Sequence, residues 1–213
     1  MEFALLQAVF LPLLLSPVAY IIGRKAGPNS ATWFTFGVLL YCTVLLVLAS
    51  LEGKYEEHYP WTNLFGEFGF LLDGLAIPFA IIIYVLCTIL VLYSKPYMVH
   101  KFRENFEHQH IQSTTTAGGQ TTAVVESAAL ASYVNSHSGL YFALFLTFSM
   151  GMLGTVLATN LIEFYIFFEV MLIPSFFLIA FYGDGPKRRI ALMFFFWTHV
   201  GAVVLLLGFL TIG

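Results

Sequence analysis

One carboxylate stands in the middle of a strongly apolar stretch: Glu169, within FYIFFEVMLIPSFFLIAF. A charge at the centre of a membrane helix carries an insertion cost of roughly 2.5–3.5 kcal/mol, so such a residue normally faces a protein interior or a water-filled cavity and has a partner. The chemistry open to it there is the uptake and release of a proton. The alternative is a protonated carboxyl bonded to a neighbour for packing, with Tyr165 one turn earlier as the nearest candidate. The proton-carrying reading is preferred, because an ionisable group at that depth is functional by default.

A counter-charge is not close in sequence. Lys187, Arg188 and Arg189 lie at least 18 residues away, roughly 27 Å along a helix. No Lys or Arg falls inside an apolar span, so a cationic partner is expected from another chain or from sequence after residue 213. His199 is the other titratable group at similar depth. It either relays protons, since imidazole ordinarily titrates near pH 6.5, or bonds a neighbouring backbone as a neutral core residue. Glu163, six residues before Glu169, is rotated by about 240° and lies about 9 Å nearer the other end of the helix. It either lines a water-accessible entrance or belongs to a solvated helix start. Asp73, in LLDGLAIPF, is read as a helix cap in preference to an ion ligand. His108 and His110 form a His-x-His pair, but no carboxylate or thiolate set completes a metal site. Cys42 and Cys87 lie in apolar runs and read as small core residues.

These residues must be positioned by membrane helices. The 213-residue chain is 59% hydrophobic and 10% charged, with a mean hydropathy of +0.86, against roughly 45–50% and about 25% for soluble domains. That excludes a soluble globular protein, and a net charge of −3 gives no reason to expect nucleic acid as a partner. Apolar runs predict six spans at about 3 to 22, 32 to 51, 71 to 94, 139 to 158, 160 to 181 and 190 to 212. The fold class is therefore an all-α polytopic membrane protein, divided into three leading helices (1–94), an insertion (95–138) and three further helices (139–213). Eight of nine basic residues fall in the links 1–2, 3–4 and 5–6, with Lys54 alone on the other side. Both termini are thus expected outside, and residues 95–138 in the cytoplasm. The insertion contains STTTAGGQTT, expected to be partly flexible, and AVVESAALASYV, expected as a short interfacial helix. Gly151, Gly154, Thr155 and Ala158 have the small-residue spacing of close helix packing.

The run ATNLIEFYIFFEVMLIPSFFLIAFYGDGPKRRIALMFFFWTHVGAVVLLLGF resembles helices five and six of the antiporter-like subunits of respiratory complex I, NADH dehydrogenase subunit 4 or bacterial subunit M in particular. The shared features are the aromatic approach, a glutamate followed by Leu-Ile-Pro, a Gly-containing turn, a basic residue, and a second helix with FFxxT and a Gly. LLDGLAIPFAIIIYVLCTILVLYSKPYM is similar to that family's third helix. The resemblance implies the N-terminal portion of a fold of about fourteen helices with inverted repeats, incomplete after residue 213. It places Glu169 at the family's helix-five glutamate, which there pairs with a lysine on a broken helix seven. Met193 stands where bacterial members often have lysine, and His199 lies two residues before the family's glycine position at Gly201.

The resemblance implies a proton-translocating membrane-arm subunit of a quinone oxidoreductase using NADH or a related donor. Glu169 would transfer the proton, with His199 as relay and Glu163 at an entrance. No redox site, cofactor site or metal site is expected on this chain, since it has neither a cysteine set for iron–sulfur clusters nor a Gly-rich nucleotide loop. Iron–sulfur clusters, flavin and quinone are expected in sister subunits. The expected partners are those membrane-arm and redox subunits, a chain or segment supplying helices 7–14, and lipid, in a cell or organellar inner membrane. Two other classes stay open: a subunit of a multisubunit cation/proton antiporter, and a structural fragment without transport.

Overall fold

The computed structural model describes residues 3–51, 53–62, 66–117 and 123–212; the side chains at 61, 62, 66, 107–117, 123–126 and 212 lie outside the description. Among the described residues six helices are long and apolar enough to cross a membrane: α1 (Ala4–Ala26), α2 (Pro28–Leu51), α3 (Ala76–Ala117), α4 (Ala123–Leu157), α5 (Leu161–Tyr182) and α6 (Lys187–Ile212). Two strands, β1 (Tyr55–Thr62) and β2 (Gly66–Leu72), stand between α2 and α3. The helical class holds, with an antiparallel hairpin added to it.

Local chemistry sets the boundaries. Gly27, at φ 86°, breaks α1 and returns its N–H to Gly23 O, and Pro28 opens α2 without needing an amide partner. Asp73 Oδ1 accepts from Leu75 N and Ala76 N at 3.0 and 2.7 Å. It is a cap, and α3 therefore starts at Ala76 instead of near residue 71; the residues before it pair as β2. Asn160 caps α5 through Glu163 N at 2.7 Å, and Gly183 closes that helix on Ile179 O.

The segment 95–138 also differs from expectation. No separate short interfacial helix forms from AVVESAALASYV; those residues are the first turns of α4, while α3 continues to Ala117. Apolar side chains continue the helix–helix seam past the membrane-length portion, with Phe102 against His137 at 5.8 Å and Phe106 against Tyr133 at 5.5 Å between ring centroids. Residues 118–122, the second half of STTTAGGQTT, and the side chains of His108 and His110 lie outside the described residues.

α4 is the central post, packing against α1, α5, α3 and α2. The approach is backbone to backbone: a Cβ on Gly23 would lie 2.3 Å from Gly139 Cα, and one on Gly151 would lie 2.8 Å from Met171 Cβ. Gly151 and Gly154 thus form the close-packing face their spacing predicts. One core cluster at the hairpin end gathers Leu5, Cys42, Phe70, Tyr84 and Leu153. A second gathers Phe102, Val134, Tyr141, Phe145 and Tyr182. Cys42 and Cys87 are buried free thiols in these cores.

Candidate functional site

α5 and α6 run antiparallel on either side of the 183–186 turn. Glu169 lies 14 residues before Gly183 and His199 lies 13 after Pro186, so the two arrive at one level. The structure brings them together: His199 Nδ1 is 3.2 Å from Glu169 Oε2. This contact with a carboxylate was named by neither reading open for His199. A titratable neighbour of Glu169 is therefore supplied within the chain, in addition to the Lys or Arg partner expected from outside it. Phe195 stacks on the imidazole at 5.4 Å, nearly parallel, and Tyr165 lies beside the same carboxylate.

The two groups stand within ion-pair distance, and either type of group can donate or accept according to where a proton sits. Glu169 Oε1 is buried with no hydrogen-bond partner among the described residues. The side chain of His199 is 46% exposed, on a face with Leu192, Phe196 and Val203. It remains open for a second contact.

Glu163 is not a solvated helix start. It is fully buried, and its Oε2 accepts from Gly69 N, Thr159 N and Thr159 Oγ1, each at 3.3 Å. Glu163 and Glu169 occupy different faces of α5, as the helix geometry requires. Glu163 fastens α5 to the hairpin, whose second strand also meets Ala158 through an isolated bridge and Asn160 Nδ2 through Glu67 O.

Sequence reasoning missed the hairpin residues. Tyr55, Glu57 and Tyr59 face Leu72, Phe70 and Phe68, making one inward face. Glu57 is buried there and accepts from Leu5 N, Leu6 N and Tyr59 Oη at 3.0, 2.9 and 3.0 Å, capping α1 from a distant segment. Burial and this hydrogen bond to Glu57 push the Tyr59 phenol above its ordinary range. The alternation of Phe68 and Phe70 with Glu67 and Gly69 was the available signal. At the opposite end of the bundle Lys101 Nζ meets Asp184 Oδ1 at 2.5 Å, and that hydrogen bond holds the Asp184 carboxyl below its ordinary value.

The chain is similar to known proteins in sequence and in fold. Residues 158–212, from the α5 cap through α6, match the family model described as NADH:quinone oxidoreductase/Mrp antiporter, TM. NADH-quinone oxidoreductase subunit M of Rhodobacter capsulatus is 25% identical over 210 residues, covering 93% of this chain and 33% of that protein. F(420)H(2) dehydrogenase subunit M of Methanosarcina mazei is 35% identical over 68 residues, covering 32% of this chain and 14% of its own length. Among solved structures, the Mrp complex from Dietzia sp. DQ12-45-1b superposes with a TM-score of 0.69 at 21% identity, over 95% of this chain and 18% of that one. The chain spans about a third or less of the length of these relatives. Six membrane-length helices and these matches make it a multi-pass membrane protein, similar to the antiporter-like membrane subunits of the NADH-quinone oxidoreductase subunit M type.

Proposed function

We propose that this chain works as part of a proton-translocating membrane-arm subunit of a quinone oxidoreductase whose donor is NADH or a related carrier. Glu169 is the intramembrane proton carrier and His199 its immediate exchange partner. The observation that carries this reading is the 3.2 Å contact between two titratable side chains at matched depth on neighbouring apolar helices. A proton moves along that contact without a large motion, and a third group reaching the exposed side of the imidazole would draw it onward. Redox chemistry, with its iron–sulfur clusters, flavin and quinone, belongs to sister subunits in this reading, and helices beyond these six come from another segment or chain.

The test is Glu169→Gln in the assembled complex in sealed vesicles. Gln keeps the shape and hydrogen bonding but does not titrate, so pumping per electron pair falls strongly while assembly is retained. Wild-type pumping in that variant refutes the assignment. A second reading, a subunit of a multisubunit cation/proton antiporter, is favoured by the likeness to the Mrp complex. Co-purifying iron–sulfur subunits support the first reading, and their absence from an active complex supports the second.

For orientation, the proposal places the end holding Arg24, Lys101 and the 183–189 segment in the cytoplasm and the hairpin outside, following the distribution of basic residues. The Lys101–Asp184 contact supports it by joining two of the basic links at one end.

A further inference from the structure

The carboxyl of Glu163 is an incomplete site. Its side chain is wholly buried, three donors converge on Oε2 at 3.3 Å, and Oε1 has no partner among the described residues. Charge-assisted hydrogen bonds to a carboxylate usually run about 2.7–2.9 Å. These are longer, and no cationic side chain approaches within ion-pair distance among the described residues. A buried charge held so loosely is costly. The smallest ligand that completes the site is a proton on Oε1.

The cover over this carboxyl is the hairpin. Gly69 donates directly to Glu163, and a Cβ at that position would lie 2.7 Å from Glu57 O, 3.0 Å from His58 Nδ1 and 3.1 Å from Thr159 Oγ1. On the outer side of the same point, His58 bridges the two strands: Nε2 is 2.7 Å from Glu56 Oε1 and Nδ1 is 3.4 Å from Glu67 Oε2. Only the imidazolium donates from both nitrogens. A neutral imidazole, donating from one nitrogen, holds only one of the two carboxylates. Lys54 and His58 hold Glu56 below its ordinary carboxylate range.

Beside Glu163 a cavity of about 450 Å³ runs along one face of α5, past Ile166 and Phe167 to Val170, and is closed by Phe10, Met150, Tyr59 and Pro60 among others. Seven residues of helix correspond to about 10.5 Å, which carries the cavity from the level of Glu163 to that of Glu169. The titratable groups around Glu163 are Lys54, Glu56, Glu57, His58, Tyr59 and Glu67 from the hairpin and Tyr165 and Glu169 on other faces of α5. The α1 and α4 side chains on the cavity wall are apolar.

We propose that Glu163 is a second proton-carrying carboxyl, covered by the β1–β2 hairpin, and that His58 fastens the cover. In the covered state Oε1 holds the proton. When the hairpin lifts, the O–H bond breaks toward water on the hairpin side, and the carboxylate left behind keeps the Gly69 and Thr159 donors until protonated water entering the cavity returns a proton to it. This deepens the proton-translocation reading and rests on it, but its test does not use pumping.

The test is pH-difference infrared spectroscopy on the assembled complex in lipid between pH 5 and 9, following the C=O stretch of protonated carboxyls. One such band is expected to vanish in Glu163→Gln. In Thr159→Val, which removes one donor to Oε2 without touching the carboxyl, the same band persists with its midpoint displaced by at least half a pH unit. Should Glu163→Gln fail to assemble, Thr159→Val alone identifies the band. His58→Gln should displace the midpoint as well. A spectrum with no band sensitive to Glu163 or Thr159 overturns the proposal, and a midpoint unmoved in His58→Gln overturns the role of the clasp. Failure of the underlying reading is distinguishable, because it appears as undiminished pumping in Glu169→Gln whatever the Glu163 band does.

Discussion

Replacing Gly23 by Ala tests whether the crossing of α1 and α4 is as close as the backbone places it. The added Cβ would stand 2.3 Å from Gly139 Cα and 2.7 Å from Gly139 N. Carbon atoms rest about 3.5–4.0 Å apart, so the helices must separate by more than about 1 Å, and both obstructing atoms belong to backbone. Overpacking of this kind typically costs about 1–3 kcal/mol. The helix-propensity gain of Ala over Gly, up to about 1 kcal/mol, offsets only part of it. Gly37 in α2 is the matched control, because a Cβ there meets nothing within 4 Å. In detergent, Gly23→Ala should lower the thermal midpoint by several degrees, taking about 2–4 °C per kcal/mol for a chain of this size. Gly37→Ala should leave it unchanged or slightly raised. Equal midpoints for the two variants would refute the backbone-contact reasoning.

Removing a helix cap gives a smaller effect of the same sign: Asp73→Ala should destabilise by about 0.5–2 kcal/mol, read as a lower thermal midpoint, with Asp73→Asn closer to wild type. His199→Leu should lower pumping in sealed vesicles while Glu169 stays in place, and pumping at the wild-type level would limit His199 to packing. Thr115→Cys should react with a membrane-impermeant thiol reagent from the cytoplasmic face only; labelling only from outside reverses the topology. The Asp184 carboxyl, held below its ordinary range by Lys101, contributes stability above the ordinary carboxylate range and loses it as pH falls through its folded value. Amide exchange in the 183–186 turn should therefore be faster in Asp184→Asn than in wild type at pH 7, and the difference should shrink as pH falls below the ordinary carboxylate range.

Helix number and class were legible because a span must be about 20 apolar residues long, and this chain keeps its charged residues in the links. Glu169 was legible for the same reason, as an exception to the pattern. Its contact with His199 was present in the count of residues on either side of the 183–186 turn, but attention to Lys and Arg as the expected counter-ions led away from it. The Asp73 cap was local and readable. The burial of Glu163 was not, since it depends on Gly69, 94 residues earlier, and sequence spacing carries no information about which distant strand covers a helix start. The hairpin was hidden because its alternation, Phe68 and Phe70 about Gly69, covers too few positions to compete with the hydropathy signal. The extension of α3 and α4 beyond membrane length was obscured by the Ser/Thr/Gly run between them.

The dominance of α4 in the bundle has a consequence for biosynthesis. α1 enters the bilayer first, yet the helix it packs against most extensively is made fourth. At about 5–20 residues per second, the interval between Gly23 and Gly139 leaving the ribosome is roughly 6–23 s. Throughout that time α1 has α2 beside it but not its main partner, and the notch at Gly23 faces lipid or the insertion machinery. A factor that shelters small-residue notches in newly inserted helices would act in that interval, and ribosomal pausing before α4 would prolong the most vulnerable stage of the chain's assembly.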